Sequence, residues 1–480
     1  MAKPRPNFSK ALSLQIEGQR FSRSLQARAI AADALADTIG CILAGSTDPV
    51  VAMACRSLGM PNLARQLVWP RNGVLRENAA LVNATAAHVL EFDDHEILGV
   101  THPSAVLVPA LLALAYGSER SGRDLLDAYV AGFETINCLG RRLNPSHYDM
   151  GWHSTSTLAA LGAAVSCSLL AGNSPEQTVH AFGLCCSLAG GTRAQFGSVT
   201  KPLHAGFAAH AAVRSALMAR AGITAAPDAF DGHFGLSRLI AVNLEDTPQT
   251  EYAFPLIEEH GPIIKLYPSC AATHRTLDAV GDLMRSYQLT HEDIVEIMTE
   301  IPEVAASALL PGYPSDEYQA RFSMSYCAAA AAERGELALE DFTSEAVSRP
   351  TIRRRAQQVR VSSYRGKGNS FAPGNYKVRT TILTQSGGVL RDERLHAKGT
   401  KDLPLSRNER LAKFENCLAK VGYQKSTSSL FEVIVSVGDL RALGSCENRF
   451  RQAGLPSPGQ LSAKINSSKS RERGRGRLEC

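Results

Sequence analysis

The chain has 480 residues, of which 44% are hydrophobic and 20% charged, and a formal net charge of +5. That length exceeds one ordinary core, and the composition excludes a disordered or fibrous protein. Residues 457–480 hold six Lys/Arg against Glu472 and Glu479, so they supply +4 of the total and leave a near-neutral body without a nucleic-acid footprint.

Residues 1–24 read as an N-terminal extension, with Lys3, Arg5, Lys10, Arg20 and Arg23 set against Glu17. This leaves mitochondrial targeting as an alternative to the cytoplasmic location expected from eleven scattered cysteines without CxxC pairs. Residues 25–267 read as a large all-helical domain. Apolar residues at helical spacing run over 28–44, 77–90, 105–116, 122–141, 155–171, 175–189 and 205–219, with Gly, Pro or Asn at the joins. Ser174-Pro175 is a start signal, and the many Ala and Gly predict close helix packing. No uninterrupted apolar run approaches ~20 residues, so no membrane span is expected.

Beyond Lys265 the pattern changes. Ile294–Ile301, Val359–Val361 and Tyr376–Leu383 alternate as strands do, and Ser386-Gly387-Gly388 predicts a hairpin into Val389. Helices at 270–286 and 322–333 interleave with them. The fold class expected is therefore mainly α: the helical domain, a smaller α/β lid domain over 268–400, a helical return over 401–452, and a basic disordered tail over 453–480.

Four polar segments interrupt this background, and three of them lie beside Gly or Pro, where helices end. Glu91, Asp93 and Asp94 precede His102-Pro103; clustered carboxylates split their proton affinities, so one can stay protonated near neutral pH, and His102 suits acid–base work. His153 opens a helix, where the positive dipole end favours neutral imidazole. Lys201-Pro202-Leu203-His204 sits where a helix is predicted to begin, around His204, and Lys265 lies among apolar residues at the domain junction, where a lysine needs a negative partner. With Arg193, these cations suit a di- or tricarboxylate. The Asp/His cluster also admits a metal-dependent hydrolase, although no HExxH, EF-hand or Cys/His spacing accompanies it; no metal is expected. Walker A, GxGxxG and GxSxG motifs are absent from the sequence, and no cofactor is expected. A non-catalytic scaffold is a third reading.

The segments Glu91-Phe92-Asp93-Asp94 with Thr101-His102-Pro103-Ser104, Thr200-Lys201-Pro202-Leu203-His204-Ala205-Gly206, Lys265-Leu266-Tyr267-Pro268-Ser269-Cys270 and Ala320-Arg321-Phe322-Ser323-Met324-Ser325-Tyr326 resemble the MmgE/PrpD family. That family contains 2-methylcitrate dehydratase, cis-aconitate decarboxylase and iminodisuccinate epimerase. The resemblance covers roughly residues 25–450. It implies a homodimer with a metal- and cofactor-free site between a helical domain and a lid. Glu91 and His102 would handle protons, with Asp93 and His153 beside them. Lys201 and Lys265 would bind substrate carboxylates, and Tyr326 would complete the pocket from the lid side; Arg193, His204 and Tyr267 are further substrate-binding candidates read from the segments themselves. His95 stands where the family carries threonine, and Cys270 where the animal decarboxylases carry histidine. The expected activity is dehydration of a citrate-like acid such as 2-methylcitrate or a 2-alkylcitrate; decarboxylation of cis-aconitate and epimerisation are the alternatives.

Overall fold

In the computed structural model, residues 8–17, 21, 23–60, 73–242, 256–366, 377–424 and 426–455 are described. The protein is mainly α. Ala- and Leu-rich helices, among them Leu25–Gly45, Arg76–His88, Pro103–Ala115, Gly122–Leu143, Ser154–Ala171, Pro175–Cys186 and Thr200–Arg220, share one large hydrophobic core. Local chemistry sets their ends. Ser121 and Ser174 each form a capping box, with Asp124 and Gln177 respectively, and Pro175 occupies the first turn. Small residues let these helices approach: a Cβ on Gly132 or Gly162 would collide with the facing helix backbone and with Ser166 or Ile136. The Ser154–Ala171 helix is apolar enough to meet the length and composition of a membrane span, yet 89% of it is buried inside the fold.

Two parts extend this core. Residues 8–17 of the expected N-terminal extension form a helix whose Phe8 stacks between Phe182 and Phe230. The helices Arg407–Lys420 and Thr427–Val435 pack back onto Leu25–Gly45, and Phe414, Leu418, Phe431 and Ile434 enter the same core. Of the tail expected over 453–480, residues 453–455 are described and Leu455 is buried in the large core, while residues 456–480 lie outside the described residues.

A second, smaller core surrounds a four-stranded sheet of order β2-β1-β3-β4, with β1 Ile294–Pro302, β2 Val359–Tyr364, β3 Val378–Thr384 and β4 Val389–Arg394. β1 runs parallel to β2 and antiparallel to β3, and β3 and β4 form the expected hairpin. Helices Ala271–Ser286 and Met324–Arg334 flank it, and Leu277, Val280, Ile297, Tyr326 and Ile382 share its core. These helices start one and two residues later than read from sequence, because Cys270 and Ser323 act as their N-caps.

Candidate active site

The site forms where helix ends meet two loops. His88 ends the Arg76–His88 helix, His102 caps Pro103–Ala115, His153 caps Ser154–Ala171, and Lys201 lies in the first turn of Thr200–Arg220. That last helix begins at Thr200, earlier than the start expected around His204. Pro202 is tolerated there because a first-turn N–H has no intrahelical partner anyway. Lys201 therefore projects from a rigid turn rather than a loop. An antiparallel bridge between His95 and Ile263 brings the acidic loop and the Lys265 segment together, with backbone hydrogen bonds of 3.1 and 2.7 Å. A second bridge, Trp152 to Thr192, sets His153 beside the 191–196 turn.

Glu91 is the centre of charge. Its carboxylate accepts from Lys201 Nζ and lies 3.5 Å from Lys265 Nζ, which also donates to the Glu91 carbonyl at 3.0 Å. Lys201, Lys265 and Glu91 are all buried. Burial alone would raise the carboxyl's proton affinity, but the two ammonium groups and nearby imidazoles outweigh it and hold Glu91 well below the usual carboxylate range. Glu91 has φ +51, a left-handed conformation that costs a non-glycine residue about 1–3 kcal/mol. The Lys265 bond to its carbonyl helps fix it there.

Asp93 is likewise held well below the usual carboxylate range: burial raises its affinity, but the ring N–H groups of His88 and His102 beside it and the Lys265 ammonium outweigh that. Its Oδ2 lies 2.8 Å from His88 Nδ1 and 3.3 Å from His102 Nδ1, and its buried Oδ1 has no hydrogen-bond partner among the described residues. The carboxyl that stays protonated near neutrality is Asp94, not Glu91 or Asp93. Full burial pushes it up to about 8, and its side chain turns away to Ser104, whose hydroxyl meets Tyr129 at 2.6 Å.

Within the cluster, His102 is the imidazole nearest solvent, its side chain 15% exposed. Its Nδ1 donates to the Asp94 carbonyl at 2.9 Å, so Nε2 carries the lone pair. Desolvation, with Lys265, Lys201 and His88, lowers its affinity to about 4 despite Asp93, so it is neutral at pH 7. His153 is neutral for the same primary reason, burial, with Lys201 adding to it. His153 Nδ1 and His204 Nδ1 lie 2.8 Å apart, so one donates and the other accepts. Burial lowers His204 to about 4.

Glu91, Asp93, His102, His153, Lys201, His204 and Lys265 are thus one contiguous cluster. Three expected substrate contacts lie elsewhere. Arg193 stacks on Tyr148 at 3.8 Å and donates to the Tyr148 and Ser307 carbonyls at 3.1 and 2.8 Å, joining the helical part to the sheet-bearing part. Tyr267 donates to Asp278 Oδ1 at 2.9 Å, in a bend that follows Lys265. Tyr326 is fully buried in the second core and donates to the Asp341 carbonyl. Each hydroxyl or guanidinium is committed to a partner inside the protein.

Sequence reasoning missed three members. His88 lies 2.8 Å from Lys201 Nζ; its only signal is an imidazole in the last turn of an Ala-rich helix, three residues before Glu91. Arg321 donates from one nitrogen to the Leu90 and Pro268 carbonyls at 2.7 and 2.9 Å. Lys413, from the return helix, pairs with Asp37 at 2.7 Å and donates to the Phe92 carbonyl at 2.7 Å, bracing the acidic loop from behind. His88, Asp93 and His102 also place three possible metal donors within 4.8 Å, but the neighbouring ammonium groups of Lys201 and Lys265 oppose a further cation.

Comparison with known proteins agrees with this layout. Residues 12–247 match the MmgE/PrpD N-terminal domain and residues 267–437 the MmgE/PrpD C-terminal domain. The chain belongs to the MmgE/PrpD family. It is similar to the cis-aconitate decarboxylases of Mus musculus (28% identity over 410 residues, 82% of this chain and 81% of the relative) and Homo sapiens (27% over 424 residues, 84% and 86%). A shorter similarity, 27% over 225 residues, links it to the cis-aconitate decarboxylase of Aspergillus terreus, covering 44% of this chain and 46% of the relative.

Proposed function

We propose that this chain is a cofactor-independent lyase acting on a citrate- or aconitate-type tricarboxylate, with dehydration of 2-methylcitrate or a 2-alkylcitrate as the reaction. The observation that carries the reading is a neutral imidazole with a free Nε2 lone pair, His102, set beside two buried ammonium groups. Lys201 and Lys265, held against Glu91, take up substrate carboxylates with their remaining N–H groups, which orients the carbon next to a carboxylate toward His102. His102 Nε2 removes that proton, worth ~10²–10⁴ in rate for a positioned base. The hydroxyl on the adjacent carbon leaves as water, taking the proton that His102 has just gained, so the imidazole returns to its neutral form. Glu91 and Asp93 serve as ionised anchors, since neighbouring cations keep both from holding a proton.

Decarboxylation of cis-aconitate is the second reading, favoured by the similarity to the mouse and human cis-aconitate decarboxylases. It places the carboxylate to be lost away from the lysines and returns a proton to the resulting carbanion through His102. Incubation with 2-methylcitrate, a 2-alkylcitrate and cis-aconitate, followed by mass spectrometry, separates the two. Loss of about 18 mass units is expected; loss of about 44 favours the second reading, and no change on any of them contradicts both. We further propose a homodimer in the cytoplasm whose sheet-bearing part acts as a lid.

A further inference from the structure

We propose that His88 is a positioning residue that aims the Lys201 ammonium at the substrate carboxylate; this rests on the anion-binding role just given to Lys201. His88 is fully buried, and both of its ring nitrogens are engaged by neighbours. Its Nδ1 lies 2.8 Å from Asp93 Oδ2, a carboxylate oxygen that only accepts, so Nδ1 carries the ring proton. Its Nε2, 2.8 Å from Lys201 Nζ, then has the lone pair that accepts from the ammonium.

An ammonium has three N–H groups on a flexible stem. In Lys201 one is given to Glu91 and one to His88. Two fixed acceptors determine the direction of the third. Phe196 and Phe322, with ring centres 5.4 and 5.2 Å from Nζ, flank it without accepting a conventional hydrogen bond. The remaining N–H is therefore held for the substrate. Asp93 acts at one remove: by holding the His88 tautomer it ensures that Nε2 faces Lys201 as an acceptor.

Two conservative variants separate this role from simple core filling. The carboxamide of His88→Gln reaches near the Nε2 position and keeps an acceptor for Lys201. That of His88→Asn reaches only near Nδ1 and keeps a donor for Asp93 alone. Steady-state kinetics on the substrate identified by mass spectrometry should show KM raised about 10- to 100-fold in His88→Asn, the worth of one hydrogen bond to a charged group, with kcat changed much less. His88→Gln should recover most of that loss. Equal KM values in two folded variants, or an unchanged KM in His88→Asn, overturn the inference. Should neither variant fold, Asp93→Leu releases the His88 ring and should raise KM in the same way; an unchanged KM there overturns it equally. Lys201→Ala keeps the two readings distinct. Full turnover in that variant defeats the anion site itself, whereas loss of turnover together with indistinguishable His88 variants defeats only the role of His88.

Discussion

His102 carries the clearest consequence at the residue scale. Its affinity lies at about 4 and its Nδ1 proton is tied to the Asp94 carbonyl, so the reacting form above that pH is a neutral base. The sign follows: kcat/KM should rise with pH through about 4 and stay level to neutrality. A rate that falls as pH rises through about 4 would mean that imidazolium is the reacting form. His102→Gln should lose ~10²–10⁴ in kcat while far-UV circular dichroism stays that of the parent. Near-normal turnover would remove His102 from the reaction. Charged residues beside Gly and Pro made Glu91, His102, Lys201 and Lys265 legible in the sequence. His88 was hidden because its signal is a single residue inside a regular helix, and Tyr267 and Tyr326 misled because residue type does not say which way a side chain points.

At the scale of elements, the loop from His95 to Thr101 is organised by one residue. Glu96 accepts from Gly99 N at 2.9 Å, Thr101 N at 3.0 Å and Thr101 Oγ1 at 2.7 Å, while Val100 is held at φ +54. Glu96→Ala strips three buried donors of their acceptor and lets Val100 relax. It should cost about 2 kcal/mol or more and lower kcat by displacing His102. Thermal unfolding and kinetics check both; an unaltered midpoint would contradict the assignment. Behind the opposite loop, Gly399 has φ +93, and a Cβ there would overlap the Ile264 carbonyl, one residue before Lys265. Gly399→Ala should therefore weaken substrate binding as well as stability, and a change in stability alone would contradict that link. Helix existence was legible from periodicity, and the hairpin from Ser386-Gly387-Gly388. Helix starts were less so, because Thr200 begins its helix before a proline that reads as a breaker. The Lys413 brace was not legible at all, since it joins residues 321 positions apart.

For the whole molecule, the larger and smaller cores meet along a seam that combines apolar packing, such as Phe196 against Phe322, with polar contacts. Tyr318 donates to Asp48 Oδ1 at 3.0 Å, Arg193 reaches Ser307, and Arg321 grips Leu90 and Pro268. The polar contacts hold the loops of Glu91 and Lys265 in register. Arg321→Ala leaves two buried carbonyls unpaired and should lower the thermal midpoint by several degrees, at about 1–3 kcal/mol for each; an unchanged midpoint would show that the seam does not depend on this clamp. The cluster at 91, 102, 201 and 265 gains its meaning only from this assembly, because its members come from three separate stretches of chain. Calorimetric titration with tricarballylate, a tricarboxylate with no hydroxyl to lose, tests that meaning most directly. Binding to the parent protein, weakened by at least about 10-fold in Lys201→Ala and in Lys265→Ala, is the expected result; equal affinity in all three proteins would contradict a polycarboxylate site at this seam.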